Sequence, residues 1–506
     1  MNRRRRIVVV GAGLGGLAAA CHLVGRGHDV VVLERSGAPG GRAGRVESDG
    51  FSFDTGPTVL TMPDLIANTI RAAGVDPAGL LRMDRLEPAY RACFADGSTI
   101  LVHSDGEAMA DEIRTTCGAG DAAAYLRFRS WLDRLYRLEI PAFIDRNYDH
   151  WWQLAVPPGP GVALLRLGGL RSLQRMVDGF FRDERLRRLF SFQALYAGLS
   201  PHQARAAYAI ITYMDSVAGV YAARGGVAAV PRALATAAEK AGGVIRYGVE
   251  VAGILRDGGA RGRVRGVRTA DGERLPADAV VVNADRPVAV RDLLTGASRR
   301  RGRHPDRHWG RRPTYSPSAL VWHVGTHTRP PAGARHHNIH FGGQWREAFR
   351  ALLREGRRMP DPSVLVGVPT VTEQSLAPPG GSTLYVLEPV PNLDTGRALD
   401  WPAERDAARE RLATLLTRWG YLPTGTRGIA TERLVDPRDW EAAGMAAGTP
   451  FALAHTFFQS GPFRPPNVDR EIPGLVFTGS GTVPGVGVPM VLISGRLAAE
   501  RVEELP

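Results

Sequence analysis

The chain has 506 residues, of which 44% are hydrophobic, and it carries a formal net charge of +13. This length and composition fit two or three packed domains and exclude a disordered chain. No apolar stretch approaches the roughly 18 to 20 uninterrupted residues needed to cross a bilayer. The three cysteines, Cys21, Cys93 and Cys117, are too scattered for a disulfide framework or a zinc site, and they suit a reducing cytoplasm.

The basic opening MNRRRR is followed by only four apolar residues before glycine, so no export signal is expected. Excess positive charge favours acidic partners, but nearly all of it here is arginine, with Lys240 the single lysine. A compositional bias therefore competes with a basic surface as its cause. No zinc-finger spacing, aromatic RNA-binding signature or basic zipper is present, and nucleic acid is not an expected partner.

In chain order, the segment Arg5 to Arg35 reads as strand, glycine turn, helix and strand. The apolar run Ile7 to Val10 is strand-like, Leu17 to Val24 is helix-like, and Val30 to Leu33 is a second buried strand. Gly11, Gly13 and Gly16 form G-x-G-x-x-G. The first glycine permits the tight turn, the second lets backbone approach a pyrophosphate, and the third allows close helix-strand packing. The helix N-terminus offers free N–H groups to phosphate. Glu34, 18 residues beyond Gly16, is placed to accept from a ribose hydroxyl. Dinucleotide binding is the expectation.

The stretch GAPGGRAGRVESDGFSFDTGPTVLTMP then places Gly40, Gly41 and Arg42 beyond the second strand, followed by Asp54, Gly56 and Pro57. Here the chain resembles the FAD-containing superfamily of amine oxidases and carotenoid desaturases. The resemblance implies that Arg42 and the adjacent backbone contact the FAD diphosphate and ribityl chain, with the Asp54 turn near the flavin. A surface ion pair for Arg42 and a plain turn role for Asp54 remain open.

Three later segments extend the likeness. Arg224 to Leu255 reads as a glycine turn, an amphipathic helix and a strand-turn-strand; the resemblance implies that Val251 touches the adenine through its backbone. Leu275 to Asp285 is a buried strand ending in N-A-D, and Ile472 to Val502 closes the cofactor domain. The expected fold is α/β: a discontinuous Rossmann-like FAD domain from 1–105, 224–290 and 441–506, with a mixed-sheet substrate domain at 291–440. A helical region at 106–223 is expected to form the rest of the substrate site.

Within that helical region, Trp151, Trp152, a proline-glycine break and leucine-rich turns with Arg166, Arg171 and Arg175 suggest an interfacial element with aromatic anchors and a basic rim. An ordinary helical cap is the alternative. The basic run Ser298 to Arg312 reads either as a lipid-attracting segment or as a solvated loop. His336, His337 and His340 lack an accompanying carboxylate cluster, and no metal site is expected.

Near the C-terminus, GSGTVPGVGVPM (Gly479 to Met490) precedes a helical run. Gly479 and Gly481 allow backbone to lie against a flat ring, while Gly485 and Gly487 can adopt dihedrals closed to other residues. Pro489 suits the first helical position. A helix N-terminus here would supply donors to a reduced flavin, whose negative charge gathers toward N1 and the C2 carbonyl. This turn resembles the C-terminal signature of bacterial-type phytoene desaturases, as do FSFDTGPTVLTMP, YVLEPVPNL and FFQSGPFRPPN. The chain departs from that pattern at Val483, Val486 and YAARGG (Tyr221 to Gly226).

The resemblance, spanning Arg5 to Val502, implies an FAD site of Gly11, Ala12, Gly13, Leu14, Gly15, Gly16, Glu34, Arg35, Gly40, Gly41, Arg42, Gly56, Pro57, Thr58, Val251, Gly479, Ser480, Gly487, Val488, Pro489 and Met490. It also implies hydride transfer from phytoene or a related carotenoid to FAD, reoxidation by quinone or oxygen, and residence on the inner face of the cell membrane. A later-acting desaturase and an FAD-dependent carotenoid isomerase are the alternatives. An amine oxidase is disfavoured, and a non-catalytic carotenoid carrier would hold flavin that substrate never reduces. No catalytic acid, base or nucleophile stands out in the sequence.

Overall fold

The computed structural model describes residues 4–258, 261–294 and 313–505; the basic run at 298–312 lies outside the described residues. Five parallel strands form the first sheet, in the order Leu475–Phe477, Ala279–Val282, Arg6–Val10, Asp29–Glu34 and Val244–Tyr247. Strands from four distant parts of the chain are thus joined in one layer. The reason is visible in the first strand: Ile7 and Val9 enter one apolar core, Val8 and Val10 another. A parallel sheet buried on both faces requires such an uninterrupted apolar run.

Helices Leu14–Gly25, Ala229–Lys240 and Val488–Glu503 supply the core on one face. Their contact is close because small residues dominate it; a Cβ at Gly495 would come within 2.5 Å of the Ala18 Cβ. The antiparallel strands Val251–Arg256, Val264–Thr269 and Arg274–Pro276 cover the opposite face.

The second sheet has seven strands, in the order Ile429–Val435, Ser318–Thr326, Ser382–Val390, Val364–Gly367, His337–His340, Tyr90–Cys93 and Thr99–Val102. It is mixed, because His337–His340 pairs in parallel with Tyr90–Cys93 while the other neighbours are antiparallel. The last two strands fall within the 1–105 segment ascribed by sequence to the cofactor domain, yet they hydrogen-bond into this sheet. Short alternating runs such as Tyr90 to Cys93 state a strand but not its partner, which long-range pairing selects.

The region 106–223 is mostly helical. Its long helix Ala119–Glu139 packs Phe128 against Trp131, Phe180, Phe181 and Phe190, with ring centroids 5.2–5.6 Å apart. Among the described residues, no helix is long and apolar enough to cross a membrane.

Candidate active site

One cavity of about 1360 Å³ runs from the first sheet to the second. Its floor is the glycine turn after Arg6–Val10. Gly13 is the residue at the N-terminal cap of helix Leu14–Gly25, and Gly11 has φ 97°. A Cβ at Gly16 would lie 2.1 Å from the Gly11 oxygen, so this position admits only glycine. The Gly40 N–H donates to the Ala12 oxygen at 2.9 Å, which joins the GGR element to the first turn. A Cβ at Gly56 would meet the Arg42 oxygen at 1.9 Å, locking the next turn against the same element.

Of the residues implied by the resemblance, all except Ala12 and Gly16 line this cavity. Those two are packed behind the turn, fully buried or nearly so. Glu34 is buried and already accepts from the backbone N–H groups of Ala12 at 2.7 Å and Ser36 at 2.9 Å. It therefore shapes the rim of the turn as well as facing the cavity. Arg42 donates to the Ser480 hydroxyl and lies 3.6 Å from Asp285, so it ties the N-terminal cradle to the C-terminal turn.

Asp54 serves elsewhere: its oxygens accept from Val227 N–H at 2.7 Å and Ala228 N–H at 3.1 Å. It braces the return segment from outside the cavity lining, while Thr55, Gly56, Pro57 and Thr58 supply the lining there. Pro489 is the second residue of helix Val488–Glu503 and not the first, because Gly487, at φ 113°, caps it. Val483 is buried beside Tyr148, Ile493 and Leu497.

The histidines make ordinary polar contacts. His337 meets the Thr58 oxygen at 3.0 Å, His336 the Thr372 hydroxyl at 2.7 Å and His340 the Tyr421 hydroxyl at 3.2 Å. Burial lowers the pKa of all three, first and foremost by desolvation. Among the described residues no group of three or more His, Cys, Asp or Glu is placed to hold a metal.

Two buried carboxyls in the cavity wall were not singled out by sequence. Glu139 closes the long helix, is 5% exposed, and its Oε1 has no hydrogen-bond partner. Asp215 is 3% exposed and its two oxygens each lie 3.5 Å from the Gln193 amide nitrogen. Burial pushes both pKa values well above the ordinary carboxyl range, because desolvation disfavours the charged form. The remaining wall is largely aliphatic and aromatic, including Ile210, Ile211, Met214, Val321, Leu365 and Leu387.

A glycine turn at a helix start on a parallel sheet, joined to a second glycine turn before a further helix, fits a flavin dinucleotide. Cβ atoms at Gly13, Gly15 and Gly479 would crowd Asn283 at 2.5–2.9 Å, so the backbone can approach a ligand there as no other residue type would allow. The fold and this cradle define an FAD-dependent oxidoreductase.

Residues 14–503 match the family described as flavin containing amine oxidoreductase. A phytoene dehydrogenase of Streptomyces griseus is 51% identical over 98% of this chain and 94% of its own. A zeta-carotene-forming phytoene desaturase of Myxococcus xanthus is 38% identical over 98% of this chain and 93% of its own. Among solved structures, an oxidoreductase from Methanosarcina mazei superposes with TM-score 0.61 at 18% identity, covering 98% of this chain and 100% of the other. A putrescine oxidase superposes with TM-score 0.57 at 16% identity, covering 99% of each chain. These two likenesses show the fold alone. The chain belongs to the flavin-containing amine oxidoreductase family, within its bacterial carotenoid desaturase branch, and its cofactor is FAD.

Proposed function

We propose that the protein is a phytoene desaturase, which uses FAD to introduce conjugated double bonds into a C40 carotenoid precursor on the way to lycopene. The observation that carries this reading is the single cavity that holds both the glycine cradle and a long aliphatic wall. Its volume exceeds the roughly 300–1,000 Å³ of an ordinary small-molecule site, which suits a dinucleotide together with an extended hydrocarbon. The names of the relatives at 51% and 38% identity support the same chemistry.

Bound in the cradle, FAD supplies the acceptor for a hydride leaving the substrate. The chain's own residues do the rest. Gly11 to Gly16 and Gly40 to Arg42 hold the dinucleotide; Gly56 to Thr58 and Gly479 to Met490 bracket the ring. Ile210, Ile211, Met214, Leu365 and their neighbours align the hydrocarbon and exclude water from a cationic stage of the reaction. A quinone that shares the bilayer with the substrate, or oxygen, would reoxidise the flavin.

The mouth supports docking on the inner face of the cell membrane. Val162, Leu165, Leu170 and Phe457 are at once exposed large apolar residues and part of the cavity lining. Trp151 and Trp152, 56% and 48% exposed, stand beside them, and Arg166, Arg171 and Arg175 are exposed on the same stretch. Such a clustered apolar surface marks an interaction site, and aromatic anchors with a basic rim match a lipid interface.

In flotation with anionic liposomes, the wild type is expected to rise with the vesicles and less so in high salt. Replacement of Trp151 and Trp152 by glutamate should weaken this binding about tenfold or more. Undiminished flotation of the double variant would remove this patch as the docking face.

The test of function is product analysis after incubating FAD-loaded protein with phytoene in liposomes plus a quinone. New long-wavelength polyene bands with a loss of two hydrogens per step are expected. Unchanged phytoene in the presence of bound flavin would reject this substrate and point to a later carotenoid. A product of unchanged mass would point to isomerisation.

A further inference from the structure

Arg464 is the one guanidinium among the largest fully buried side chains, at 0% exposure. It lies in FFQSGPFRPPN, outside every glycine motif. All its hydrogen bonds go to backbone carbonyls: Nε donates to Thr482 at 2.9 Å, Nη1 to Gln459 at 3.1 Å and Leu453 at 3.3 Å, and Nη2 to Ser480 at 2.6 Å and Leu453 at 3.3 Å. No carboxylate is among these partners. The carboxylate whose charge acts on it, Asp285, lies 3.6 Å from Arg42. A buried cation is costly to leave without a paired anion, and carbonyl dipoles compensate it only in part.

Its placement relative to the flavin turn is specific. Two of the carbonyls it holds, Ser480 and Thr482, belong to the Gly479 to Met490 turn. In a trans peptide the C=O and the following N–H point in opposite directions. Fixing the Ser480 oxygen on Arg464 therefore turns the Gly481 N–H the other way. Gly481 lines the cavity, and its N–H has no partner among the described residues. The charged and titratable groups around the guanidinium are Asp285, Arg42, Tyr208 and His455. Burial and Arg464 lower the pKa of His455, so its ring is neutral. Burial raises the pKa of the Tyr208 hydroxyl to about 12, so Tyr208 is neutral too; it donates to the His455 oxygen at 2.9 Å and shares a 2.6 Å hydrogen bond with the Ser460 hydroxyl. Burial lowers Arg464 only to about 10, so its charge persists at neutral pH.

We propose that Arg464 is a positioning residue of the flavin site: it aims the Gly481 N–H at the ring and places a fixed positive charge behind it, stabilising the anionic reduced flavin. This rests on the assignment of the FAD site and not on the identity of the carotenoid. Reduction adds two electrons and one proton to the flavin, leaving a net negative charge at N1 and the C2 carbonyl. A preorganised donor and a buried cation stabilise that charge more than they stabilise the neutral oxidised ring. Together they raise the flavin's readiness to take hydride from a substrate with no activating group.

The test equilibrates FAD-loaded protein with a redox dye and reads the ratio of reduced to oxidised flavin, in the absence of any carotenoid. Arg464→Met is expected to lower that ratio at least tenfold at a given dye potential, about 30 mV for a two-electron couple. Arg464→Lys, which keeps the charge but loses the fork, should lower it by less than half as much on the logarithmic scale. An unchanged ratio in a flavin-loaded Arg464→Met protein would overturn the proposal. Should the methionine variant fail to fold, the wild type decides: its reduced flavin should remain anionic well below the pH at which free reduced FAD takes up its N1 proton. Protonation at the same pH as free reduced FAD would overturn the proposal. Failure to desaturate phytoene would leave both readouts standing, so the two claims fail separately.

Discussion

Gly13→Trp is expected to give a folded protein that retains no FAD. A Cβ at this position would already lie 2.5 Å from the Asn283 amide nitrogen, and an indole beyond it would occupy the space of the pyrophosphate. The Gly13 oxygen accepts from the Leu17 N–H at 2.9 Å, so the helix itself is held by backbone and can persist. The expected loss is at least about 100-fold in FAD affinity, about 2.7 kcal/mol. It is measured as flavin absorbance per protein after desalting, with circular dichroism to establish folding. A folded variant with full flavin content would place the pyrophosphate elsewhere.

Glu139→Leu is expected to stabilise the protein, and to do so more strongly as pH rises. The Glu139 carboxyl is buried in an aliphatic wall with one oxygen unpartnered, and desolvation raises its pKa well above the usual 4.5. At pH 4 and below, folded and unfolded states both hold the proton. Above pH 4.5 the unfolded chain releases it while the folded chain keeps it, so the folded state binds more protons and stability falls with rising pH. That loss continues until the raised folded-state pKa is passed.

Leucine removes both the titration and the cost of an unpaired polar group, about 1–3 kcal/mol at pH 7. Urea unfolding at pH 4.5 and pH 8 reads this directly: the midpoint gain should be larger at pH 8. An equal gain at both values would mean that Glu139 is ionised or hydrated in the folded state. Turnover of the same variant then reports whether the carboxyl also takes part in the reaction.

Much of the glycine architecture that lines the cavity was legible because it is local. Gly11, Gly13 and Gly16 act through the turn they themselves form, and Ile7 to Val10 announce a strand buried on both faces. The same holds for Gly479, Gly485 and Gly487, whose φ values of 103°, 141° and 113° are those a side chain would resist. The mixed sheet was legible at 291–440, where the strands Ser318–Thr326, Val364–Gly367 and Ser382–Val390 are apolar runs.

Other assignments depended on distance through space. Asp54 was open between a turn beside the flavin and a plain turn role; its oxygens accept from the backbone of Val227 and Ala228, 173 and 174 residues away, while Gly56 of the same turn lines the cavity. Tyr90–Cys93 fell within the 1–105 segment ascribed to the cofactor domain, but it pairs with His337–His340 in the second sheet.

By itself, the sequence determined that this protein has a strand-turn-helix cradle for a dinucleotide and a second glycine turn before its last helix, because glycine dihedrals and apolar periodicity are properties of neighbouring residues. Only the tertiary structure decided that Glu139 and Asp215 face one hydrocarbon-lined cavity, and that Arg464 lies buried behind the Gly479 to Met490 turn. Desolvation comes into being only when the chain packs, and even the carbonyls that Arg464 holds, 5 to 18 residues away in the chain, meet it only along the folded path of the loops between them, which no local pattern encodes.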